Sequence, residues 1–311
     1  MALAYIPPTI AGLVLCYRGK YLWGGVVTAF FLALQIMSNH VQMSYYFLFV
    51  ILFIAGAYFE DAWRNKTLPR FFKASAVLLV AALIGVAANL SNLYHTYTYS
   101  KETMRGKSEL VQTGDAAKQT SSGLDRDYIT NWSYGIGETW TLLVPNFKGG
   151  SSSAPLSQSE TAMEKANPMY GSLYNSFPQY FGSQPWTAGP VYVGAFVLFL
   201  FVLGCFIVKG PLKWALLGAT FFSIVLAWGK NFMPLTDFFI DYVPMYNKFR
   251  AVSSILVIAE FTIPLLAIFA LKRVLEEPGI WKANKKAFGI SLALTAGVAL
   301  LLTVAPGSLG S

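Results

Sequence analysis

Long apolar runs alternate with short polar connections along most of the chain. A run of roughly 17 to 25 apolar residues is the length that crosses a bilayer as a helix. Eight runs fit or nearly fit this length, at residues 2–16, 22–37, 43–59, 74–93, 189–208, 214–228, 253–270 and 287–304. The pattern therefore predicts an all-α polytopic membrane protein with about eight transmembrane helices. The first, second and sixth runs are short for a full span.

The composition agrees with a membrane protein. Hydrophobic residues make up 55% of the chain and charged residues 12%, whereas a soluble domain carries about 25% charged residues. A single water-soluble core of 311 residues would not require so much apolar sequence. We therefore expect the excess to face lipid.

Basic residues in the short connections predict the orientation, because cytoplasmic loops carry an excess of Lys and Arg. The connections after the first, third, fifth and seventh runs hold 13 of the 23 basic residues. Eight spans place these four connections together on the cytoplasmic face. The net charge of +8 is mostly this topology signal, so no nucleic-acid partner is expected.

The same threading predicts three regions. Residues 1–93 form transmembrane helices 1–4, residues 94–188 form an exported, partly ordered loop region, and residues 189–311 form transmembrane helices 5–8. The exported loop holds eleven Tyr and Trp residues, whereas a flexible linker would be poor in aromatic residues. We expect residues 125–148 and 168–186 to be ordered at the membrane interface, where Tyr and Trp are enriched.

Two clusters in the exported loop could carry chemistry. Asp125 and Asp127 flank Arg126, and such a pair could share a divalent cation or supply one general base. The alternative is a solvated, capped turn. Further along, Trp132, Tyr134 and Glu138 combine aromatic faces, which stack on sugar rings, with a carboxylate that accepts hydrogen bonds from hydroxyls. The alternative there is an interfacial segment with a turn.

A third cluster lies just before the seventh run. Lys248 and Arg250 are separated by one aromatic residue and suit a phosphate at headgroup depth, since Arg offers a bidentate fork and Lys a point charge. Ordinary snorkelling toward lipid headgroups is the alternative.

Three further polar residues lie in or beside predicted spans. Glu260 falls within the seventh run, where a carboxylate is expensive and is by default a functional-site hypothesis; a helix–helix hydrogen bond is the alternative. His40 and Gln42 occupy the tight exported turn 38–42. His40 could be a general base, a metal ligand or a sugar contact, although a lone histidine is more often none of these.

Several enzyme classes lack their signatures in this sequence. It contains no Walker loop, dinucleotide glycine fingerprint, H-E-x-x-H or G-x-S-x-G. Any reaction would therefore use a substrate delivered in or through the membrane.

Five strings resemble the YfhO family of bacterial membrane proteins, in particular its Bacteroidetes-type members. They are GKSEL at 106–110, SGLDRDYITNWSYGIGETWTLLVPNFKGG at 122–150, PQYFGSQPWTAGPVYVGA at 178–195, WGKNF at 228–232 and YNKFRAVSSILVIAEF at 246–261. The resemblance extends from the first predicted span to the seventh. Because members of that family are considerably longer, we expect this chain to be a fragment with artificial ends.

The resemblance implies a GT-C-like fold in the bacterial cytoplasmic (inner) membrane. Its implied partners are membrane lipids, a polyprenyl-phosphate-linked sugar and an envelope glycan acceptor. The implied activity is transfer of the sugar from the carrier to the acceptor on the exported face. A divalent cation is the one cofactor that could be involved.

The resemblance also suggests roles for the candidate residues. Lys248 and Arg250 would bind the carrier phosphate. The acceptor or sugar would contact Glu138, Trp132, Tyr134, His40 and Gln42. The catalytic acid of GT-C enzymes typically lies in the first exported loop, which would precede residue 2 and would be missing here. Asp127 and Asp125 are therefore back-up candidates for the catalytic acid or a metal ligand.

Two other functions stay open from the sequence. The chain could be a transporter or flippase of a lipid-linked or envelope substrate, which Glu260 and the exported basic pair would suit. It could also be a non-catalytic membrane assembly protein that uses the large exported loop. The two halves of the sequence show no internal repeat of the kind that favours transporters.

Overall fold

The computed structural model describes residues 2–103, 123–189 and 191–304. The string at 106–110 and the first residue of the string at 122–150 lie outside these residues. The α-helices of the described residues are α1 Ile6–Tyr17, α2 Tyr21–Met37, α3 Val41–Arg64, α4 Leu68–Ala87, α5 Leu90–Lys101, α6 Arg126–Thr130, α7 Glu160–Glu164, α8 Ala195–Ile207, α9 Pro211–Ala227, α10 Met233–Tyr242, α11 Val257–Glu276, α12 Ile280–Ala283, α13 Lys285–Leu292 and α14 Val298–Val304.

Tighter and wider helical turns connect or extend these helices. The 3-10 turns are Ala2–Tyr5, Gly137–Leu142, Leu156–Gln158, Pro168–Tyr170, Leu173–Asn175, Gly229–Phe232, Tyr246–Lys248 and Val252–Leu256. The π-helical turn Ala293–Gly297 joins α13 to α14. Outside the helices, Pro155 and Pro178 form an isolated β-bridge, so the part of the chain that the structure describes is all-helical in its regular elements.

Four helical segments are long and apolar enough to cross a membrane. They are Val41–Arg64, Leu68–Ala87, Val252–Glu276 and Lys285–Val304. A fifth crossing results if Pro211–Ala227 and Gly229–Tyr242, which are bent by 107° relative to one another, count as one span. Three shorter apolar helices are Ala2–Tyr17, Tyr21–Met37 and Ala195–Ile207. These helices indicate a helical membrane protein.

Each predicted apolar run lies on a helix, but some boundaries shift for identifiable reasons. The run at 189–208 yields only Ala195–Ile207, because the Val193 N–H bonds the Leu142 carbonyl and Gly194 adopts φ +107°. The run at 74–93 ends early, at Ala87. There the Asn89 side chain donates to the Ala33 carbonyl at 2.9 Å, and a new helix, α5, begins at Leu90.

The chain forms two compact units. The first unit comprises Met1–Asp125, Lys209–Thr220 and Asn247–Phe249; the second comprises Arg126–Val208, Phe221–Tyr246 and Arg250–Ser311. These units describe packing, whereas the predicted regions 1–93, 94–188 and 189–311 describe position relative to the membrane. The three regions therefore stay a prediction.

Small residues allow α1 and α2 to pack closely in the first unit. A Cβ placed at Gly12 would lie 2.8 Å from the Thr28 nitrogen and 2.9 Å from the Gly24 carbonyl oxygen. A Cβ at Gly24 would lie 2.6 Å from the Cys16 nitrogen. All three distances are shorter than van der Waals contact with backbone atoms, which cannot move as a side chain can. The two glycines therefore allow the backbones to approach closely, as small residues do between membrane helices.

In the second unit, α8 packs along α11 through another small residue. A Cβ on Gly204 would lie 3.0 Å from Leu266 Cγ and 3.1 Å from its carbonyl oxygen. At the end of this pair the Arg273 guanidinium donates to the Ile207 carbonyl, the last residue of α8. Phe288 of α13 then contacts Phe199 of α8, with ring centroids 6.5 Å apart. These contacts hold α8, α11 and α13 together.

We expect Gly24→Val to destabilise the first unit, because the new side chain must separate the backbones of α1 and α2. Forcing extra carbons into a packed interface typically costs about 1–3 kcal/mol. Thermal unfolding of the purified protein in detergent would show the loss as a lowered Tm.

The matched control is Gly56→Val in α3, where an added Cβ meets no atom within 4 Å. Both variants place the same β-branched residue within a helix, so intrinsic helix propensity affects them equally. An equal drop in Tm for the two variants would contradict the close packing of α1 against α2.

Candidate functional site

A helix break lies at the centre of the second unit. Helix α9 ends at Ala227, and the turn Gly229–Phe232 leads into α10 at an angle of 107°. Gly229 has φ +47°, and a Cβ there would collide with the Ser133 hydroxyl oxygen. Backbone groups released by such a break must be satisfied by protein or water when the break lies near a membrane. The partners of this break come from residues 130–139.

Tyr134 pairs its main chain with both sides of the break. Its N–H donates to the Ala227 carbonyl at 2.8 Å, and its carbonyl accepts from Asn231 Nδ2 at 2.9 Å. Ala227 is the last residue of α9 and Asn231 lies in the turn that follows. The loop backbone therefore bridges the two ends of the interrupted helix.

Two side chains extend this docking. Ser133, which is completely buried, accepts at Oγ from the Lys230 N–H at 2.8 Å and donates to the Thr130 carbonyl at 2.5 Å. Trp228 Nε1 donates to Thr139 Oγ1 at 3.0 Å. The loop residues from Thr130 to Thr139 are thus fixed onto the break by hydrogen bonds at several points.

A buried carboxylate holds two parts of the loop together. Glu138 is 3% exposed, and its Oε2 accepts from the Gly135 N–H at 2.5 Å. Its Oε1 accepts from the Tyr180 hydroxyl, and that hydroxyl accepts from the Gln184 N–H at 2.9 Å. The Tyr134 hydroxyl donates to the Glu138 carbonyl at 2.7 Å. Glu138 therefore links its own turn to the segment around Tyr180.

Burial raises the pKa of both tyrosines in this network above the usual value for a phenol. For Tyr134 the nearby Glu138 carboxylate adds to the effect of burial, and for Tyr180 the hydrogen bond to Glu138 does so. Both hydroxyls consequently stay protonated at neutral pH and act as donors. Because Glu138 is 3% exposed, a sugar hydroxyl could reach its carboxylate only if the surrounding residues moved.

An exposed arginine lies beside two aromatic rings on the same unit. Arg250 donates from Nη1 to the Tyr128 hydroxyl at 2.7 Å. Its guanidinium carbon lies 5.7 Å from the Tyr128 ring centroid and 5.9 Å from that of Trp132, which is within cation–π range. Trp132 is held in turn, because its Nε1 donates to the Trp186 carbonyl at 3.1 Å and its carbonyl accepts from the Ser253 N–H at 3.0 Å.

Helix α6 is joined to α10 by an ion-pair cluster. Arg126 Nη2 lies 2.6 Å from Asp241 Oδ1, and Arg126 Nη1 pairs with Asp237. The hydrogen bond to Asp241 is the main cause of a raised pKa at Arg126. All three side chains are partly exposed, so each pair contributes little to stability, typically about 0.2–1 kcal/mol. Asp127, next along α6, is exposed.

The first unit contains a separate set of predicted residues. His40 is exposed and directly precedes α3. Gln42 Nε2 donates to the Tyr46 hydroxyl at 2.9 Å. The rings of Tyr45 and Phe249 lie with centroids 5.0 Å apart. An aromatic group therefore surrounds the start of α3, close to the predicted turn.

Lys248 and Asp125 belong to this unit as well. Partial burial lowers the pKa of Lys248 below its usual value. Just before Asp125, the Leu124 N–H donates to the Asn247 carbonyl at 2.9 Å, and Gly123 has φ +121° with Asn247 against it. The strings at 122–150 and 246–261 are therefore adjacent here.

The structure brings some predicted site residues together. Trp132 and Arg250 form one cluster, and Tyr134 and Glu138 belong to one hydrogen-bond network.

Glu260 is exposed in the first turn of α11. Lys248 and Arg250 are close in sequence but belong to different units. Their pairing around one phosphate stays a prediction.

Sequence reasoning missed the residues that fix the loop to the break. The sequence suggested no role for four of them, Ser133, Trp228, Lys230 and Asn231. The helix break itself does have a sequence signal. The triplet GKN at 229–231 ends an apolar run with one flexible and two polar residues. The ion pairs of Arg126 with Asp237 and Asp241 span more than 110 positions, and no local pattern encodes such a distance.

Neither a metal site among the described residues nor a similar protein of known function identifies this site. Within residues 2–103, 123–189 and 191–304, no three His, Cys, Asp or Glu side chains lie close enough to hold a metal ion together. No family model, curated protein or solved structure matches the chain. The resemblance to the YfhO family therefore depends on the sequence strings alone.

We expect Asn231→Ala to loosen the segment around Tyr134, because it leaves the Tyr134 carbonyl without its side-chain donor. An unsatisfied buried acceptor costs about 1–3 kcal/mol. Hydrogen exchange followed by mass spectrometry should show faster exchange in peptides covering residues 130–142.

Asn175→Ala is the matched control, since Asn175 lies exposed in the same loop region. It should leave exchange at residues 130–142 unchanged. Similar acceleration in both variants would mean that the docking onto the break does not order the loop.

Glu138→Gln separates a structural role from a ligand-binding role. Each orientation of the amide turns an NH₂ group toward a present donor, either the Gly135 N–H or the Tyr180 hydroxyl. We expect a loss of about 1–3 kcal/mol in unfolding free energy, measured as a lowered Tm. The control Glu164→Gln changes an exposed carboxylate of α7 and should have no such effect. A normal Tm for Glu138→Gln would favour the predicted sugar contact instead.

Proposed function

We propose that the chain is a glycosyltransferase-like membrane protein of GT-C type. It would move a sugar from a polyprenyl-phosphate carrier to a cell-envelope acceptor on the exported face of the bacterial cytoplasmic membrane. The observation that carries this proposal is the exposed Arg250 guanidinium beside the rings of Tyr128 and Trp132. The YfhO-like strings support the same function, and they include all three residues.

The position of Arg250 suits the phosphate of a membrane-embedded carrier. Arg250 is two residues before Val252–Glu276, a segment apolar enough to cross a membrane. A side chain at the end of such a segment lies at headgroup depth, where a polyprenyl chain would present its phosphate. A guanidinium has five N–H donors in a planar fork, and the Tyr128 hydroxyl accepts one of them. This fork geometry matches phosphate oxygens.

The neighbouring aromatic residues suit the sugar. Trp132 is held in place through both its indole N–H and its carbonyl. Trp186, whose carbonyl receives that indole N–H, is 53% exposed. Rigid rings with accessible faces can stack on the C–H face of a pyranose. A cation beside these rings would place the transferred sugar next to the carrier phosphate.

The chemistry requires a base and a stabilised leaving group. The acceptor hydroxyl oxygen would attack the anomeric carbon, and the bond from that carbon to the carrier phosphate oxygen would break. The phosphate leaves with the bonding electrons, and Arg250 would offset its charge. A carboxylate would take the acceptor proton. Asp127, exposed one residue before Tyr128, and Asp125 are the predicted candidates in this chain.

Other residues of the prediction would act around this centre. The roles that the resemblance implies for Lys248, His40 and Gln42 stay predictions. Glu138 and Tyr134 would act by positioning, since their hydrogen bonds order the turn that carries Trp132. Eight spans and a GT-C-like fold complete the proposal, supported by a helix on each of the eight apolar runs.

A transporter or flippase is the second candidate. The observation that favours it is the bent pair Pro211–Ala227 and Gly229–Tyr242. Transporters commonly build substrate sites from interrupted helices of this kind. In this protein the interruption would serve a lipid-linked sugar on its way across the membrane.

The test uses purified full-length protein in nanodiscs with a radiolabelled polyprenyl-phosphate sugar and an extract of envelope glycans. The wild type should release polyprenyl phosphate. Arg250→Ala should lower kcat by about 10²–10³-fold, the range seen when one transition-state donor is removed. Arg250→Lys should recover part of this loss, because it restores the charge but not the fork.

Lys148→Ala is the control. Lys148 is another cation of the loop region beside aromatic rings, 5.8 Å from the Phe147 centroid and 5.9 Å from that of Phe181. It should leave release unchanged. Failure of the wild type to release lipid phosphate would reject the transferase. Movement of the intact labelled lipid across proteoliposomes would then support the transporter.

A further inference from the structure

A basic cavity lies at the other end of the second unit, away from the loop site along α8 and α11. Its volume is about 550 Å³, and its polar wall carries three lysines, Lys282, Lys285 and Lys286. Phe206 near the end of α8, with Ala287 and Ile290 of α13, lines the apolar side. The cavity therefore combines a cationic rim with a hydrophobic wall.

The three lysines have no carboxylate partner among the described residues. The nearest acidic residues along the chain are already engaged, because Glu276 pairs with Lys272 at 3.8 Å and Glu277 pairs with Arg273 at 2.5 Å. Three like charges at one cavity rim repel one another. An anion bound there would relieve that repulsion, so the site is complementary to a negatively charged ligand.

The apolar wall distinguishes lipid from a soluble anion. Ala287 and Ile290 belong to Lys285–Val304, which is apolar enough to cross a membrane, and Ile290 is largely exposed. Trp281 is exposed on the adjoining α12, with its ring centroid 4.6 Å from that of Phe288. Trp at this depth is typical of the membrane–water interface. A ligand in the cavity would thus meet cations at its head and hydrocarbon surface below.

We propose that this cavity binds the headgroup and upper acyl chain of an anionic phospholipid. The positive-inside pattern places the connection carrying these lysines in the cytoplasmic leaflet. Basic pockets between membrane helices on that side are suited to anionic headgroups. The site lies at the opposite end of α8 and α11 from Arg250 and Trp132, and it is independent of the glycosyl-transfer proposal.

The test is lipid binding to the delipidated full-length chain in neutral detergent, followed by native mass spectrometry. Phosphatidylglycerol is the anionic probe, and phosphatidylcholine with the same acyl chains is the neutral one. The wild type should retain phosphatidylglycerol preferentially. The triple variant Lys282→Gln, Lys285→Gln and Lys286→Gln should bind it about 100-fold more weakly, at about fivefold for each lysine near a membrane surface.

The matched control removes the same charge elsewhere. Arg18→Gln, Lys20→Gln and Lys66→Gln change three exposed cations of other predicted cytoplasmic connections. This variant should bind phosphatidylglycerol as the wild type does. An equal loss in both triple variants would overturn the proposal, since it would show attraction to net charge and not to a site. A wild type without preference for the anionic lipid would overturn it as well.

Two further arms separate lipid from soluble phosphate. Ile290→Asn should weaken phosphatidylglycerol binding about tenfold while the Tm is retained, because it makes the wall polar. Glycerol phosphate should not displace the lipid at equal concentration. Displacement by glycerol phosphate, or an unchanged affinity in Ile290→Asn, would show that the cavity binds a free phosphate and would reject the lipid assignment.

Discussion

The second unit depends on the requirement that an interrupted membrane helix must find partners for its backbone. Between α9 and α10 the helix turns sharply, so Ala227, Lys230 and the residues around them lose regular intrahelical hydrogen bonds. Near hydrocarbon each unsatisfied group costs several kcal/mol. Residues 133 and 134 supply partners, because the Ser133 hydroxyl accepts from the Lys230 N–H and the Tyr134 N–H donates to the Ala227 carbonyl. Asn231, in the turn of the break itself, donates to the Tyr134 carbonyl. The bend in the helix is therefore stabilised by the loop residues packed on it, and the loop is ordered by the same hydrogen bonds.

The candidate site is a consequence of this docking. Trp132 directly precedes the docked residues, and its carbonyl is bound by Ser253 at the start of the next apolar segment. Glu138 closes the turn on the other side by accepting from Gly135 and Tyr180. The result is a fixed aromatic platform on which Arg250 rests. Hydrogen bonds between buried loop groups thus place an exposed cation beside two aromatic rings.

Sequence patterns predicted the helical elements well, because apolar runs of this length are typical of membrane helices. All eight apolar runs lie on helices, and Trp132 and Arg250, both candidates from the sequence, are in contact. The same patterns could not show which helices are shortened. The run at 189–208 loses its first residues to a loop hydrogen bond from Val193 to Leu142, and that partner is about 50 residues away. Composition also could not reveal that the Glu138 carboxylate accepts hydrogen bonds inside the protein, since these come in part from distant donors such as Tyr180.

The long separation between the docked partners also constrains how the protein is made. Ser133 and Lys230 are 97 positions apart, and ribosomes add about 5–20 residues per second. The segment around Ser133 therefore exists for about 5–20 s before Lys230, whose N–H binds it, has been synthesised. During that interval Tyr134 lacks its later partner Asn231, and Trp132 lacks Ser253. The segment around Ser133 therefore completes its packing only after α9 and the turn that follows it have been made.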